Sequence, residues 1–301
     1  MQAVNARFGQ VITAMATPFD NTGAIEEANV RNLVAHLLGN GSDGIVVCGT
    51  TGESPTLSHE EKLQLFRLVK EEAGSRGTVI AGTGGYDTRA SIALSEEAAE
   101  IGVDAILLVV PPYNKPSQEG LYQHFKAIAE SVPNTPCILY NVPGRTAHNL
   151  DAKTTTRLAR DVANIVATKE ASGNMIQVTE IIADAPNGFQ VYSGDDALTL
   201  PILAVGGVGV VSVSAHLVGK NMKAMHTAFF AGKMGEAACM NCKMLPVVKA
   251  LFQPTTPSPV PLKAALNLMG IPVGGVRLPL VEATEAEAAI IKQALAQYGL
   301  L

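Results

Sequence analysis

The residue that could do the most chemistry in this sequence is a lysine at the end of an apolar run. Lys169 closes the stretch Ile165–Thr168, whose mostly β-branched residues are typical of a buried strand. Lysine is almost never fully buried without a partner or a chemical role. Its amine is therefore a candidate nucleophile that forms a Schiff base with a carbonyl substrate. A surface lysine just past the strand, or one half of an ion pair, is the alternative that the pattern alone leaves open.

Such an amine needs a particular environment. It attacks a ketone only as the free base, so the usual lysine pKa of roughly 10.4 must fall toward neutrality. Burial among apolar side chains lowers the pKa of a lysine because it disfavours the ammonium. A fall to about 7.4 corresponds to about 4 kcal/mol, which is within the range that burial supplies. The sequence therefore predicts that Lys169 is enclosed.

The elements that would hold this lysine follow a regular order. Short apolar runs alternate with amphipathic segments, and this alternation predicts a parallel sheet because parallel neighbours need crossover helices. Eight such units favour a closed (β/α)8 TIM barrel, an α/β fold, which we assign to residues 1–232. The predicted strands are Val11–Phe19, Gly44–Gly49, Thr78–Gly82, Ala105–Val110, Cys137–Val142, Ile165–Thr168, Gln190–Ser193 and Gly209–Val213. The predicted helices are Glu26–Leu38, Ser58–Ala73, Thr88–Ile101, Gln118–Ser131, Asp151–Asp161, Asn174–Ala183, Ala197–Val205 and Lys220–Ala231.

The last part of the chain breaks this alternation. Residues 233–301 are predicted to form a C-terminal helical extension, interrupted by a proline-rich turn at Gln253–Pro261 and a glycine-rich turn at Gly270–Gly275. We expect the extension to pack on the barrel and to help assembly. In the barrel, Ser58 and Glu61 have the spacing of a capping box at the start of the second helix.

Reactive side chains follow the predicted strands at one rim. The active site of a (β/α)8 barrel lies at the carboxyl ends of its strands. Tyr140 and Lys169 belong to sequential strands about 5 Å apart, so both can reach one small substrate. Tyr140 is placed to move protons after the amine attacks, and Thr51 could relay them. On its own, a strand-end tyrosine whose hydroxyl meets water is the simpler interpretation.

An arginine and a glycine lie at the same rim. Arg145 follows the fifth strand in a Pro-Gly turn, and a guanidinium there suits a substrate carboxylate. A solvated loop arginine is the alternative. Gly52, beside Thr51, would permit close approach of the backbone to a ligand.

Composition argues against several classes of protein. The net charge is −5 and the basic residues are scattered, so we expect no nucleic-acid partner. Residues 197–215 are uncharged, but Pro201 and Gly206-Gly207 interrupt them, which favours a helix–turn–strand segment over a membrane span. Residues 1–10 are polar and carry no apolar signal core. With cysteines that look unpaired, this favours the cytoplasm.

Cysteine and histidine patterns give no support for a metal site. Cys48 and Cys137 lie in apolar runs and are expected in the core, while Cys239-x-x-Cys242 lies in a helical stretch without a second pair. The six histidines form no i, i+4 pair. Residues 206–209, Gly-Gly-Val-Gly, resemble a phosphate loop but lead into the last strand, at the opposite face of the barrel. We therefore expect neither a metal nor a nucleotide cofactor.

Several motifs, in order along nearly the whole chain, resemble those of a known family. The chain is similar to the pyruvate-dependent class I aldolases of the N-acetylneuraminate lyase superfamily and, within it, to the dihydrodipicolinate synthases. The motifs are Gly49–Glu53, Tyr113–Pro116, Tyr140–Thr146, Lys169–Ala171, Gly194–Asp196 and Ala264–Leu268.

The resemblance implies a reaction and a set of roles. Lys169 would form a Schiff base with pyruvate, with no separate cofactor, and the derived enamine would condense with L-aspartate 4-semialdehyde to 4-hydroxy-tetrahydrodipicolinate, a step of lysine and diaminopimelate biosynthesis. Relatives are usually homotetramers built as dimers of dimers. Tyr140, Thr51 and Tyr113 would form a proton relay, Tyr113 coming from the neighbouring subunit; Thr50, Gly194 and Val211 would line the pyruvate site, and Arg145 would hold the carboxylate of the semialdehyde.

Two other functions stay open at this point. A related pyruvate aldolase acting on a sugar acid or on sialic acid would share the Schiff base, although Arg145 and Thr50 favour the synthase. A binding or assembly protein that keeps only the fold is the more remote alternative.

The resemblance also bears on regulation by lysine. Lysine-inhibited relatives carry polar side chains where this chain has Pro112, Tyr86 and Ala90, while His59 is retained. Unpaired ligand charges cost about 1–3 kcal/mol each, so we predict weak or absent inhibition.

Overall fold

A computed structural model of the chain describes residues 6–301. Eight parallel strands form a closed barrel in sequence order, and the last strand pairs with the first. The fold is therefore the predicted (β/α)8 TIM barrel with C-terminal helices. The strands are β1 Val11–Ala14, β2 Gly44–Val47, β3 Thr78–Gly82, β4 Ala105–Val109, β5 Cys137–Asn141, β6 Ile165–Glu170, β7 Gln190–Ser193 and β8 Gly209–Ser212.

Helices surround the barrel and form the extension. The helix α2 begins with the predicted capping box, in which the Ser58 side chain accepts from the backbone of Glu61 and the Glu61 side chain accepts from the backbone of Ser58. The helices are α1 Glu27–Gly39, α2 His59–Ala73, α3 Thr88–Ile101, α4 Gln118–Ser131, α5 Pro143–Thr146, α6 Ala152–Asp161, α7 Met175–Asp184, α8 Thr199–Ala204, α9 Ala215–Phe230, α10 Met234–Leu251, α11 Val260–Leu268 and α12 Glu285–Tyr298.

Several element boundaries differ from the sequence prediction. The strand β1 ends at Ala14 and not at Phe19, because the N–H of Ala16 donates to His216 and Pro18 has no N–H to donate. The strand β6 continues to Glu170, so Lys169 lies inside the strand and not past its end. The helix α9 begins at Ala215, before the predicted start at Lys220. The loop of Arg145 is a single helical turn, α5, because Pro143 at its first position has the backbone angle that a helix needs. The interpretation of residues 1–10 rests in part on residues 1–5, which lie outside the described residues.

Two apolar layers make up the core. One fills the barrel interior and includes Ile12, Tyr140 and Val211, and the other lies between the strands and the surrounding helices. Alternate residues of a strand face opposite sides, so each strand serves both layers. Cys48 and Cys137 are buried as predicted.

The remaining sequence expectations concern surface segments. Residues 197–215 form the predicted helix–turn–strand segment, α8 followed by β8. Among the described residues, no helix is long and apolar enough to cross a membrane. Cys239 and Cys242 are exposed on α10. The boundary between barrel and extension at residue 233 remains our proposal.

Candidate active site

The amine of Lys169 lies inside the barrel. Only 5% of the residue is exposed. Lys169 pairs with Tyr140 of β5 in the strand register, and its Nζ lies 4.0 Å from the centroid of the Tyr140 ring. Tyr140 is equally buried. The two side chains thus form a closed pair at the carboxyl ends of neighbouring strands, as the sequence predicted.

The direction of Lys169 depends on an irregularity in β6. Cys137 pairs with Ile165, but the next residue, Ile138, pairs with Ala167, so Val166 is an extra residue on β6. Ile165 packs in the outer layer, whereas Ala167 packs in the barrel interior. Such a bulge reverses which face the following residues take. Lys169 shares the face of Ala167 and therefore points inward.

A glycine leaves the space that Lys169 occupies. Gly194 directly follows β7, and its backbone N–H donates to the carbonyl of Glu170 at 2.7 Å. A Cβ atom on Gly194 would lie 3.1 Å from Cγ and 3.2 Å from Cε of Lys169, and 2.7 Å from Cβ of Ala171. A side chain at Gly194 would therefore clash with Ala171 and press on the aliphatic part of Lys169. Val211 is buried in the barrel interior on β8.

The threonine turn follows β2. Thr51 is buried and Thr50 half-buried, and the N–H of Glu53 donates to the carbonyl of Thr50 at 3.1 Å. A Cβ atom on Gly52 would lie 3.1 Å from the carbonyl of Met15. Gly52 thus permits close packing on the segment after β1; the expectation that it opens the backbone to a ligand is not supported. In the described part of the chain, no direct hydrogen bond joins Thr51 to Tyr140.

Tyr113 is separate from this pair. It is 93% exposed on the loop after β4, and its φ of +73° lies in the left-handed region. Non-glycine residues enter that region at a cost of about 1–3 kcal/mol, which is met most often at functional sites. The strained loop presents the phenol to solvent. Within the residues that the structure describes, Tyr113 forms no direct hydrogen bond with Tyr140 or Lys169.

Arg145 lies exposed on α5, directly after the strand that carries Tyr140. The hydroxyl of Thr146 donates to the carbonyl of Val142 at 3.2 Å and to that of His148 at 2.8 Å. The turn is therefore fixed while the guanidinium is left free of ion pairs within the described residues. This is the geometry expected of a group that meets a charged ligand at the barrel mouth.

A buried carboxylate behind Lys169 holds that loop, and sequence analysis assigned it no role. Glu170 faces the outer layer and accepts from Asn141 Nδ2 at 3.1 Å, from Gln177 Nε2 at 3.2 Å and from the N–H of Ser172 at 2.7 Å. Asn141 in turn accepts from the N–H of Leu150 at 3.0 Å. The network links β5, β6 and α7. The sequence did contain a signal for this network, because Glu170 directly follows Lys169 in a strand predicted to be buried.

A second buried carboxylate lies between β7 and β8. Asp196 accepts from the hydroxyl of Ser212 and from the backbone N–H groups of Val213 and Ser214, both at 3.1 Å. Burial raises the pKa of this carboxyl, and the hydrogen bonds oppose that rise. Asp196 fixes the end of β8 next to Val211. The sequence pointed to Asp195-Asp196 only as part of a motif.

Histidines near the barrel are structural. Nε2 of His216 accepts from the N–H of Ala16 at 3.2 Å, and its Nδ1 lies 2.8 Å from the carbonyl of Val213. Burial lowers the pKa of His216 to about 4, so the ring is neutral. No group of three or more potential metal ligands occurs among residues 6–301.

A lysine and a tyrosine enclosed at the carboxyl ends of neighbouring strands of a closed (β/α)8 barrel fit the active site of a class I, Schiff-base lyase. Comparison with known sequences gives the family. The profile of the dihydrodipicolinate synthetase family matches residues 7–298. The chain belongs to this family.

Relatives align over nearly the whole chain. The 4-hydroxy-tetrahydrodipicolinate synthase of Desulforudis audaxviator is 55% identical over 294 residues, covering 98% of this chain and 99% of the relative. That of Bacillus subtilis is 55% identical over 280 residues, covering 93% of this chain and 96% of the relative.

Solved structures agree in fold. A dihydrodipicolinate synthase from Bacillus anthracis superposes with a TM-score of 0.93 at 50% identity, covering 96% of this chain and 98% of that one. A structure from Cyanidioschyzon merolae with lysine bound has a TM-score of 0.96 at 46% identity, covering 98% of this chain and 99% of that one.

Proposed function

We propose that this chain condenses pyruvate with L-aspartate 4-semialdehyde to 4-hydroxy-tetrahydrodipicolinate, through a Schiff base on Lys169. The observation that carries the proposal is the enclosed pair in which Nζ of Lys169 lies 4.0 Å from the Tyr140 ring. The names of the relatives support the synthase over a sugar-acid or sialic-acid aldolase. A non-catalytic role would leave a buried lysine without a reason.

The reaction begins at the amine. Lys169 adds to carbon 2 of pyruvate, and the carbonyl oxygen takes up two protons, one of them from the attacking amine, and leaves as water, which gives the protonated imine. Tyr140 lies next to the amine, with Nζ of Lys169 4.0 Å from its ring centroid, so pyruvate bound at that amine would lie beside the tyrosine. Tyr140 is therefore the proton donor and acceptor of this step, and Thr51 passes the proton onward.

Carbon–carbon bond formation follows. The imine loses a methyl proton and becomes an enamine, whose carbon 3 attacks the aldehyde carbon of the semialdehyde. The aldehyde oxygen takes up a proton and becomes the hydroxyl group of the product. The amino group of the semialdehyde then attacks carbon 2, which closes the ring and releases the amine of Lys169. One water leaves for each pair of substrates joined.

Binding roles follow from the positions around this pair. Thr50, Gly194 and Val211 line the pyruvate site, Gly194 by leaving room for the lysine. Arg145 is exposed at the mouth and holds the carboxylate of the semialdehyde by two parallel hydrogen bonds. No external cofactor is needed, because the lysine itself carries the substrate covalently.

The relay needs a second copy of the chain. Tyr113 is 93% exposed in the single chain, so we infer that it completes the site of a neighbouring subunit in a homotetramer made of two dimers. The four free cysteines and the biosynthetic relatives favour a cytoplasmic location.

Direct assay separates the candidate reactions. The purified enzyme is given pyruvate with aspartate semialdehyde, and separately sialic acid and sugar acids for cleavage. We expect turnover with the semialdehyde alone. Faster cleavage of a sugar acid or of sialic acid would replace the proposed acceptor, while the Schiff-base chemistry would stand.

A further inference from the structure

A buried ion pair joins the C-terminal extension to the threonine turn. Nζ of Lys263, on α11, lies 2.8 Å from Oε1 of Glu53, and the two side chains are 2% and 1% exposed. Nζ also donates to the carbonyl of Gly275 at 2.6 Å. Glu53 is the last residue of the turn that contains Thr50 and Thr51. One carboxylate thus connects the extension to a segment proposed for catalysis.

A second residue of the extension contacts the same carboxylate. The backbone N–H of Arg277 donates to Oε2 of Glu53 at 2.9 Å. Its guanidinium forms a fork on Glu61 of α2, at 2.8 and 2.5 Å, and donates to the carbonyl of Thr56 at 2.8 Å. Through Glu53, Thr56 and Glu61, the extension holds the whole segment from the threonine turn to the start of α2.

Stability alone does not account for this arrangement. A buried ion pair is often no more stabilising than apolar residues of similar size, because both charges lose their hydration. Burial lowers the pKa of Lys263, and the Glu53 carboxylate opposes that fall. Glu53 also has a left-handed φ of +56°, which is strained for a non-glycine residue. Strain and buried charge at one residue beside a site indicate that the backbone is being held for function.

These contacts fix the backbone of the threonine turn, and the backbone in turn sets the direction of the Thr51 side chain. The N–H groups of Gly52 and Ser54 both donate to the carbonyl of Gly49, at 3.1 and 3.3 Å. On the β1 side, the hydroxyl of Thr17 donates to the carbonyl of Gly52 at 2.7 Å. The turn is therefore held on two sides: by Thr17 of the segment after β1, and through Glu53 by the extension.

We propose that Glu53, Lys263 and Arg277 are positioning residues, through which the C-terminal extension holds the hydroxyl of Thr51 in the proton relay. This inference rests on the proposed function, in which Thr51 moves protons. The extension then contributes to catalysis by positioning Thr51, in addition to any role in assembly.

The first test compares Glu53→Gln and Lys263→Met in the full-length enzyme. We expect each to lower kcat about 10- to 100-fold, the loss that a small displacement of a catalytic group produces, with KM for pyruvate within about threefold. Exchange of the pyruvate methyl hydrogens in D2O, which needs the relay but no second substrate, should slow in parallel. Retention of kcat by both folded variants would overturn the inference.

A double-mutant cycle with Thr51→Val separates positioning from general damage. If Glu53 acts through Thr51, the double variant Glu53→Gln/Thr51→Val should have a kcat less than about twofold below that of Thr51→Val alone. If the loss in kcat of the double variant equals the product of the losses of the two single variants, the two residues act independently, which would contradict the proposal. Glu53→Gln combined with Lys263→Met removes both charges and should recover stability without recovering kcat; a recovery of both would mean a purely structural role.

A control ion pair exists at the other end of β2, the strand that leads into the threonine turn. Lys223 of α9 pairs with Asp43, just before β2, at 2.5 Å. Lys223→Met should lower stability and leave kcat within about twofold of the wild type. If the buried variants fail to fold, Arg277→Ala, at a side chain that is 19% exposed, serves instead and should lower kcat severalfold. Wild-type kcat in Arg277→Ala would also overturn the proposal.

The wild-type enzyme distinguishes the two possible failures. If borohydride with pyruvate gives no adduct on wild-type Lys169, the proposed function itself fails. If the adduct forms and the variants keep wild-type kcat and methyl exchange, only the positioning role fails.

Discussion

At the scale of single residues, the proposed site is built from a lysine and from the glycine that makes room for it. Lys169 was recognisable from its place after an apolar run. Gly194 was recognisable only as part of a motif, because sequence does not reveal that its missing Cβ is the space beside Cγ and Cε of the lysine. The residue that carries the chemistry is easier to find than the one that permits it.

The prediction at Gly194 follows from that space. Gly194→Ala should fold, since Gly194 is half-buried and lies outside the strand. We expect kcat to fall at least about tenfold, because the added Cβ moves the amine away from Tyr140. Steady-state kinetics and borohydride trapping measure this, with Gly144→Ala, whose Cβ would meet open space, as the control. Wild-type trapping in Gly194→Ala would refute the packing argument.

Regulation by lysine also belongs at this scale. His59, the retained polar residue, has its Nε2 2.8 Å from Glu97 of the same chain, and Tyr86 is exposed. With Pro112 and Ala90 offering no polar side chain, the amine and carboxylate of a lysine ligand would be poorly paired. We expect millimolar L-lysine to leave the initial rate unchanged. A clear, saturable decrease in rate would prove this prediction wrong.

At the scale of elements, the sequence predicted the alternation of strands and helices, but it did not predict which residues of β6 face the barrel interior. The predicted bounds of β3 and β7 match those in the structure. Strict alternation from Ile165, however, would turn Lys169 toward the helices, and only the extra residue Val166 turns it inward. A bulge depends on pairing with β5, so a single strand's sequence does not reveal it.

Contacts distant in sequence escaped prediction for the same reason. Residues 233–301 were expected to pack on the barrel, but nothing in a helical pattern indicates that Lys263 reaches Glu53. Likewise, the link from His216 to Ala16 joins the two ends of the barrel sheet. Periodicity predicts which face of an element is apolar, whereas these polar links depend on the closed fold.

The buried histidines predict how stability changes with pH. Burial lowers the pKa values of His124, His216 and His226 from 6.5 to about 4. The unfolded chain binds these protons first, so stability is full above pH 6.5 and is lost as the pH falls toward 4. Each histidine contributes up to about 1.4 kcal/mol per pH unit. Asp196, whose pKa is raised, acts in the opposite sense at low pH.

Urea unfolding between pH 7.5 and pH 5 measures this dependence. His216→Asn should flatten the curve, since it removes one titrating group. A free energy of unfolding that is constant across this range would contradict the assignment of neutral buried rings.

At the scale of the whole molecule, the proposed relay needs a tyrosine from a second chain. Tyr113 is exposed, so its proposed role makes the assembly part of the catalyst. Mixing Lys169→Ala and Tyr113→Phe chains tests this by complementation, because a hybrid dimer has one site with an intact Lys169 and the partner's intact tyrosine. After unfolding and refolding together, we expect about a quarter of the wild-type rate per chain. A mixture no more active than the separate variants would mean that Tyr113 does not act between subunits.

The most direct test of the whole account is covalent capture at the enclosed amine. The enzyme is incubated with pyruvate, reduced with borohydride, digested and mapped by mass spectrometry, with Lys169→Ala as the control. We predict one adduct, heavier by pyruvate less one oxygen atom, on the peptide that contains Lys169, and none in the variant. An unmodified Lys169, or an adduct on another lysine, would contradict the central claim.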